Sequence, residues 1–315
     1  ETGKSYPVKI EYCRNPRALA LMRGIRIGCT PPLPADALQR AVDAAGRSDA
    51  AVVFAGLTHE YESEGYDRPT MDLPEAQVEL IRKVAEANPR TIVVLNNGAP
   101  VSVDNWISGV PAVLEAWYPG QECGNAIAAV LLGEVNPSGK LPDTFPKRYE
   151  DNPAYDNYPG SEGKVNFAEG IFVGYRYYDA QQVEPSFPFG HGLSYTDFTY
   201  ANLKLSKTEK QAGEPVQISI NLTNSGTCPG KEVVQVYVSD REAKLPRPPK
   251  ELKAFRKVTL QPAETQTVTF TLDDEDLSYW DTETGGWVVE PGDFEVLVGS
   301  SSRDIRARAS FTLTG

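Results

Sequence analysis

Histidine is nearly absent from this sequence, with only His59 and His191 among 315 residues. So few imidazoles leave little from which to build a metal site on nitrogen and sulfur ligands, and no metal or other cofactor is expected. Cysteine is also sparse. Cys13, Cys29, Cys123 and Cys228 are scattered, no two form a C-x-x-C pair, and their spacing describes no disulfide framework. They read as buried or incidental thiols. No apolar run reaches the roughly 18 residues of a membrane span. Basic residues are outnumbered, 31 Lys and Arg against 43 Asp and Glu, for a net charge of −12. The one basic-leaning stretch, Lys244 to Lys257, is short and broken by prolines and a glutamate. A polyanion would be repelled over most of such a surface, so nucleic acid is excluded as the expected partner and a neutral substrate fits better. The opening residues, Glu1 to Tyr6, lack the basic and apolar blocks of a signal peptide. For a soluble chain this leaves cytoplasmic and secreted or periplasmic locations both open.

What is present divides into blocks of different periodicity. A length of 315 residues suggests more than one domain. Residues 1–30 hold two strand-like stretches, Tyr6 to Tyr12 and Ile25 to Ile27. Two isolated strands cannot form a core, so they are expected to finish a β-rich unit begun elsewhere. Residues 31–197 open with alternating helix and strand signals. Leu38, Ala41, Val42 and Ala45 mark a helical face, and Ala50 to Ala55 read as a strand buried on both sides, as in a parallel sheet. Pro74 suits the first turn of a second helix with Ile81, Val84 and Ala85 inward. Thr91 to Leu95 and Ala112 to Trp117 read as further strands. Cys123, Ala126, Ile127, Val130 and Leu131 follow helical spacing up to Gly133. The expected architecture is an α/β sandwich with a mostly parallel sheet. From residue 134 to 197 the chain is rich in proline, glycine and aromatics, a long irregular stretch of the kind that is functional or forms interfaces. At Phe198 the period drops to two. Val216, Ile218, Ile220 and Leu222 alternate with polar residues, as do Val234, Val236 and Val238, then Val268, Phe270 and Leu272, then Phe294, Val296 and Val298. Seven or so strands over residues 198–315 predict an antiparallel β-sandwich, and the missing Cys…Trp…Cys signature favours a fibronectin type III-like form.

The densest chemistry lies between Thr58 and Arg68, directly after the first parallel strand, where open α/β sheets place their ligands. Glu60, Glu62, Glu64 and Asp67 crowd four carboxylates into eight residues. They repel one another unless solvated, protonated or paired, and Arg68 is placed to neutralise one, most simply Asp67. A glutamate held among them and shielded from water would have its pKa raised, as a general acid near neutral pH requires. The plainer reading is a solvated acidic loop. Three sharper motifs fail. An EF-hand starting at Glu60 would need Glu where Met71 stands, and a zinc-protease helix would need His where Ser63 stands. Gly133 to Leu141 has one residue too many between its glycines for a phosphate loop. Asn221-Leu222-Thr223 is a formal glycosylation sequon of little weight. Trp106, Trp117, Tyr118, Tyr175, Tyr177 and Tyr178 could stack on sugar rings, although core packing is the commoner use of such side chains. His191, between Gly190 and Gly192, is expected to serve in a structural hydrogen bond.

Several runs, taken in order, resemble glycoside hydrolase family 3, the β-glucosidase and β-xylosidase family. They are Glu62-Ser63-Glu64-Gly65-Tyr66-Asp67-Arg68, Trp117-Tyr118-Pro119-Gly120-Gln121-Glu122, Asn136-Pro137-Ser138-Gly139-Lys140-Leu141-Pro142 and Thr144-Phe145-Pro146. Glu169 to Arg176 and Phe187 to Thr196 complete the series. The resemblance covers roughly Pro32 to the C-terminus. It implies an α/β sandwich followed by a fibronectin type III-like domain, with residues 1–30 as the tail of a protective-antigen-like insert. It implies that Glu64 is the general acid/base, with Glu62 the fallback, Tyr66 a substrate contact, and Asp67 and Arg68 structural supports near the site. It also implies a partner: an N-terminal (β/α)₈ barrel, in the same protein or on another chain, that supplies the nucleophilic Asp and most contacts to the nonreducing sugar. No barrel lies in this sequence.

The implied activity is that of an exo-acting, retaining β-glucosidase removing nonreducing terminal β-D-glucose, with a β-glucoside or oligosaccharide as substrate. One carboxylate performs half of that cycle, so the 315 residues alone are expected to be inactive. A β-xylosidase or exo-glucanase of the same family is the nearest alternative, and a noncatalytic carbohydrate-binding or scaffold chain is the alternative of another class. Linkage preference and homo-oligomer formation are left open.

Overall fold

A computed structural model describes residues 4, 7–9 and 32–315. The two strands expected within residues 1–30 fall outside the described residues, apart from Pro7, Val8 and Lys9. The first unit is built from α1 (Ala37–Gly46), β1 (Ala51–Gly56), α2 (Glu75–Ala87), β2 (Thr91–Asn96), β3 (Ala112–Glu115) and α3 (Cys123–Leu131). The three strands pair in parallel in the order β1-β2-β3, with Val53 opposite Val93 and Val93 opposite Val113. Pro74 sits one residue before α2, and its carbonyl accepts from the amides of Gln77 (2.8 Å) and Val78 (3.2 Å). A residue without an N–H belongs there, because the first helical donors have no intrahelical acceptor. Ile81, Val84 and Val78 of α2 bury against Val53, Ala55, Val93 and Leu95 on one face of the sheet.

The expectation that β1 is buried on both sides is corrected. Val53 and Ala55 are buried, whereas Val52 is 43% and Phe54 60% exposed. The cause is topological. β1 is an edge strand, and among the described residues only its inward-alternating side chains meet the helices. At the centre of the same sheet, Val94 of β2 has no exposure at all.

Between α3 and the second unit, the irregular stretch expected from 134 to 197 contains a 3₁₀ turn, Tyr149–Asp151, and one short α-helix, α4 (Tyr175–Ala180). It is tied together by paired backbone contacts, Leu141 N to His191 O (2.8 Å) and Phe145 N to Phe187 O (2.9 Å). Trp117, Phe145 and Phe187 meet edge to face along this seam.

The second unit comprises β4 (Phe198–Leu205), β5 (Glu209–Gln211), β6 (Val216–Asn224), β7 (Gly230–Asp240), β8 (Glu251–Leu260), β9 (Thr265–Leu272), α5 (Asp274–Leu277), β10 (Tyr279–Asp281), β11 (Gly286–Val288), β12 (Gly292–Gly299) and β13 (Ile305–Thr314). A five-stranded sheet, β5-β13-β12-β7-β8, faces a three-stranded sheet, β4-β6-β9, while β10 and β11 form a separate hairpin. All pairings are antiparallel except β5 with β13. The alternating sets seen in the sequence meet between the sheets. Val216, Ile218, Ile220 and Leu222 are fully buried against Val234, Val236, Phe294, Val296 and Val298. Burying each such side chain contributes about 1.5–3 kcal/mol, which makes this core the main stabilising element of the unit.

The two units are joined by charge as well as by chain. Lys140 pairs with Glu232 at 2.9 Å, and Asp179 of α4 accepts from both Arg303 (2.6 Å) and Lys250. Among the cysteines, Cys228 is half-buried and Cys123 exposed, and both are free thiols. No described helix is long and apolar enough to cross a membrane.

Candidate active site

Three parallel strands end side by side, and the segments leaving their carboxyl ends converge. β1 leads into the acidic loop, β2 into Asn97 to Pro100, and β3 into Trp117 and Tyr118. The convergence begins at Gly56, where a Cβ would lie 2.0 Å from the carbonyl oxygen of Asn96. Only glycine allows that approach. Gln77 of α2 fastens the same point, donating to Gly56 O and accepting from Gly56 N, each at 2.9 Å.

Of the three glutamates in the loop, Glu62 is the one held by hydrogen bonds among the described residues. Its Oε2 accepts from the Gly98 amide at 2.7 Å and from the Tyr118 hydroxyl at 2.5 Å. The hydrogen bond to Glu62 pushes the Tyr118 phenol above its ordinary pKa, since losing its proton would set two negative charges together. Glu64 lies two residues on, in the tight Ser63–Tyr66 turn, where Ser63 Oγ accepts from Gly65 N at 3.1 Å. Its carboxylate is exposed and makes no hydrogen bond among the described residues. Tyr66 is 46% exposed and donates its hydroxyl back to the His59 carbonyl, closing the loop on itself.

Asp67 and Arg68 do not pair with each other, contrary to the simplest expectation. Asp67 accepts from Tyr158 (3.1 Å), while Arg68 turns inward and donates to the Pro100 carbonyl (3.0 Å). The second guanidinium nitrogen of Arg68, Nη1, is buried without a partner among the described residues. Both residues border a cavity of about 430 Å³ whose other walls include Asp143, Thr144, Tyr149 and Tyr178. Burial raises the Asp143 carboxyl above its usual range.

Beneath the loop lies a group that composition and spacing did not single out. Glu115, the last residue of β3, accepts from the Trp117 amide at 2.8 Å and from the Asn97 side chain at 3.4 Å. Burial pushes its carboxyl up to about 7, against the lowering effect of those two hydrogen bonds, and the nearby charge of Glu62 adds to the rise. Trp117 has φ +51°, a left-handed conformation rare for a bulky residue. The signal for this group was available: a carboxylate closing an apolar strand at the ligand-bearing end of a parallel sheet.

The other aromatic candidates divide. Trp106 and Tyr178 are core residues at 2% and 3% exposure, Tyr175 stacks on Phe189, and only Tyr118 is mostly exposed. His191 stacks on Phe187 and uses its backbone in the seam, and burial lowers its pKa. Among the described residues no cluster of three or more His, Cys, Asp or Glu could hold a metal ion.

Residues 3–195 match the glycosyl hydrolase family 3 C-terminal domain, and residues 232–302 match the fibronectin type III-like domain. The chain belongs to glycosyl hydrolase family 3. Its relatives include thermostable beta-glucosidase B of Acetivibrio thermocellus, 51% identical over 273 residues, which cover 87% of this chain and 36% of that protein. A beta-glucosidase of Rhizobium radiobacter is 43% identical over 99% of this chain and 38% of its own length. In three dimensions the chain is similar to the Kluyveromyces marxianus beta-glucosidase solved in complex with glucose, with TM-score 0.84 and 44% identity over 89% of this chain and 33% of that one. The family 3 beta-glucosidase of Bifidobacterium adolescentis gives TM-score 0.86 and 43% identity over 90% of this chain and 42% of its own. The chain thus spans little more than a third of the curated relatives it matches.

Proposed function

We propose that this chain supplies the general acid/base, Glu64, of an exo-acting retaining β-glucosidase that removes nonreducing terminal β-D-glucose. The observation that carries the reading is the placement of Glu64. It is an exposed carboxylate without a hydrogen-bond partner among the described residues, at the tip of a loop anchored by Glu62, beyond the ends of parallel strands. The names of the relatives support the substrate class.

A retaining glycosidase works with two carboxyl groups about 5–5.5 Å apart across the scissile bond. Glu64 protonates the leaving glycosidic oxygen while an Asp on the barrel partner attacks the anomeric carbon. The departing alcohol makes room for water, Glu64 takes a proton from it, and the resulting hydroxide releases the sugar with its configuration kept. Closure of the barrel face over the loop is what would shield Glu64 from bulk water. Tyr66 contributes a substrate contact from the same turn, and Asp67 and Arg68 support the base of the loop. The chain without a barrel lacks the nucleophile and is inactive, so measurable turnover by the purified 315 residues would refute this division of labour.

The test uses the barrel-containing enzyme with Glu64→Ala and two leaving groups. Acid assistance matters most when the leaving group is poor. Glycosylation from an alkyl glucoside or cellobiose should therefore fall by about 10²–10⁴-fold, and that from an activated aryl glucoside much less. Equal losses on both substrates would count against Glu64 as the acid. Sugar binding with no turnover in the intact enzyme would favour a noncatalytic carbohydrate-binding role.

A further inference from the structure

We propose that Glu115 is a positioning residue for the acid/base loop: it holds the turn at Trp117 from which Tyr118, together with Gly98, clamps Glu62 and so fixes Glu64. This rests on the reading of Glu64 as the acid/base. The chain of contacts is continuous. Glu115 Oε1 takes the Trp117 amide at 2.8 Å, and Asn97 contacts the other oxygen at 3.4 Å. Asn96 donates to the Trp117 carbonyl at 3.4 Å, so both sides of the strained residue are tied to the strand ends. A left-handed aromatic residue persists only where its surroundings over-determine it. Here they are Glu115, Asn96 and the edge of the Phe145 ring, 5.9 Å between centroids.

The strained turn has a consequence for the loop. It brings the Tyr118 ring so close over Gly98 that a Cβ there would meet Cε2 at 2.4 Å. In that position the phenol and the Gly98 amide both donate to one oxygen of Glu62. Glu64 stands two residues beyond that anchor and has no other restraint of its own among the described residues.

The ionisable groups around Glu115 are few. Glu62 faces it from the loop after β1, and Arg68 acts on Tyr118 from that same loop. Asn97, from the end of β2, is neutral. Burial keeps the Glu115 proton on up to about pH 7. Above that, the ionised carboxylate accepts more strongly from Trp117 and Asn97, and these contacts outweigh the repulsion from Glu62. Glu115 therefore holds the turn in either protonation state, through its acceptor oxygen on the Trp117 amide.

The experiment measures kcat and KM in the barrel-containing enzyme, with cellobiose and an activated aryl glucoside. Glu115→Gln keeps an acceptor for the Trp117 amide and should hold kcat on cellobiose within about threefold of the parent. Tyr118→Phe removes the phenol from Glu62 and should lower kcat on cellobiose at least about tenfold, with a smaller loss on the aryl substrate. Glu115→Ala should combine a lowered kcat with an unchanged KM. If it fails to fold, the first two variants still decide. A loss in Glu115→Gln as large as that in Tyr118→Phe, or equal losses on both substrates in Tyr118→Phe, overturns the proposal. The reading of Glu64 fails separately, by the absence of any selective defect in Glu64→Ala.

Discussion

Lys210 offers the sharpest stability prediction, because it is a cation with 1% exposure inside the β-sandwich. Its ammonium group pairs with Asp274 at the start of α5, and the other oxygen of Asp274 accepts from the Gly213 amide at 2.7 Å. Replacing Asp274 with Ala strands the buried charge, while the exposed Gly213 amide can turn to water. Removing one partner of a buried pair costs about 3–5 kcal/mol, since the desolvated ion keeps its penalty and loses its compensation. For a unit of this size, that lowers Tm by roughly 10–20 °C. Lys210→Met keeps the apolar stem and removes the charge. It leaves behind an Asp274 side chain that is 30% exposed and can hydrate, so its cost should stay within about 1 kcal/mol. Adding Asp274→Ala to Lys210→Met should then cost much less than Asp274→Ala alone, a coupling of about 2–3 kcal/mol. Calorimetry and urea melts of the four variants measure it. The reasoning is refuted if Asp274→Ala costs under about 1 kcal/mol, or if Lys210→Met costs as much. The pair also sets a pH dependence. The Lys210 hydrogen bond holds the Asp274 carboxyl below its usual range. Its contribution is therefore present above the unfolded carboxylate pKa, about 3.9, and is lost as pH falls through the lower folded value.

Two glycines at the strand ends give independent checks. Gly98→Ala drives a Cβ into the Tyr118 ring at 2.4 Å and should free Glu62 from its clamp. The expected result is a loss of acid-dependent turnover of about tenfold or more with little change in Tm, read from kcat and a thermal melt. Gly56→Ala meets backbone, the Asn96 oxygen at 2.0 Å, and cannot be relieved by a side-chain rotation. It should part β1 from β2 at the base of the loop and destabilise the α/β unit by about 2–4 kcal/mol, measured by urea titration.

Local pattern carried most of the architecture. The alternation at Val216 to Leu222 and Val234 to Val238 specifies which face of each strand is buried, and both sets fill the sandwich core. The apolar runs at residues 50–55 and 91–95 fall on the parallel strands Ala51–Gly56 and Thr91–Asn96, and Pro74 marks the start of α2. Local pattern could not show that β1 stands at a sheet edge, which leaves Phe54 60% exposed, because edge position depends on strand order. The three-residue strands β5, β10 and β11 are too short for a period to register. In the candidate site, the acidic loop was visible as composition, but its organisation was not. Glu62 is held by Gly98 and Tyr118, 36 and 56 residues away, and Arg68 chooses a carbonyl 32 residues distant over its neighbour Asp67. Such partners are set by the register of parallel strands. At Glu115 the strand-end position was legible, but its partners Asn97 and Glu62, 18 and 53 residues away, again depend on strand register.

The central claim is that Glu64, and not Glu62, is the acid/base. Both sit in one loop, so the most direct measurement compares Glu64→Ala and Glu62→Ala in the barrel-containing enzyme, with an activated aryl β-glucoside, with and without azide. A small anion can enter the space of a deleted acid/base and attack the glycosyl-enzyme without needing a proton acceptor. Azide should restore turnover in Glu64→Ala and yield a β-glucosyl azide, while Glu62→Ala, which loses the anchor and keeps the acid/base, shows no rescue. Rescue of Glu62→Ala with none in Glu64→Ala would contradict the account and transfer the role to Glu62.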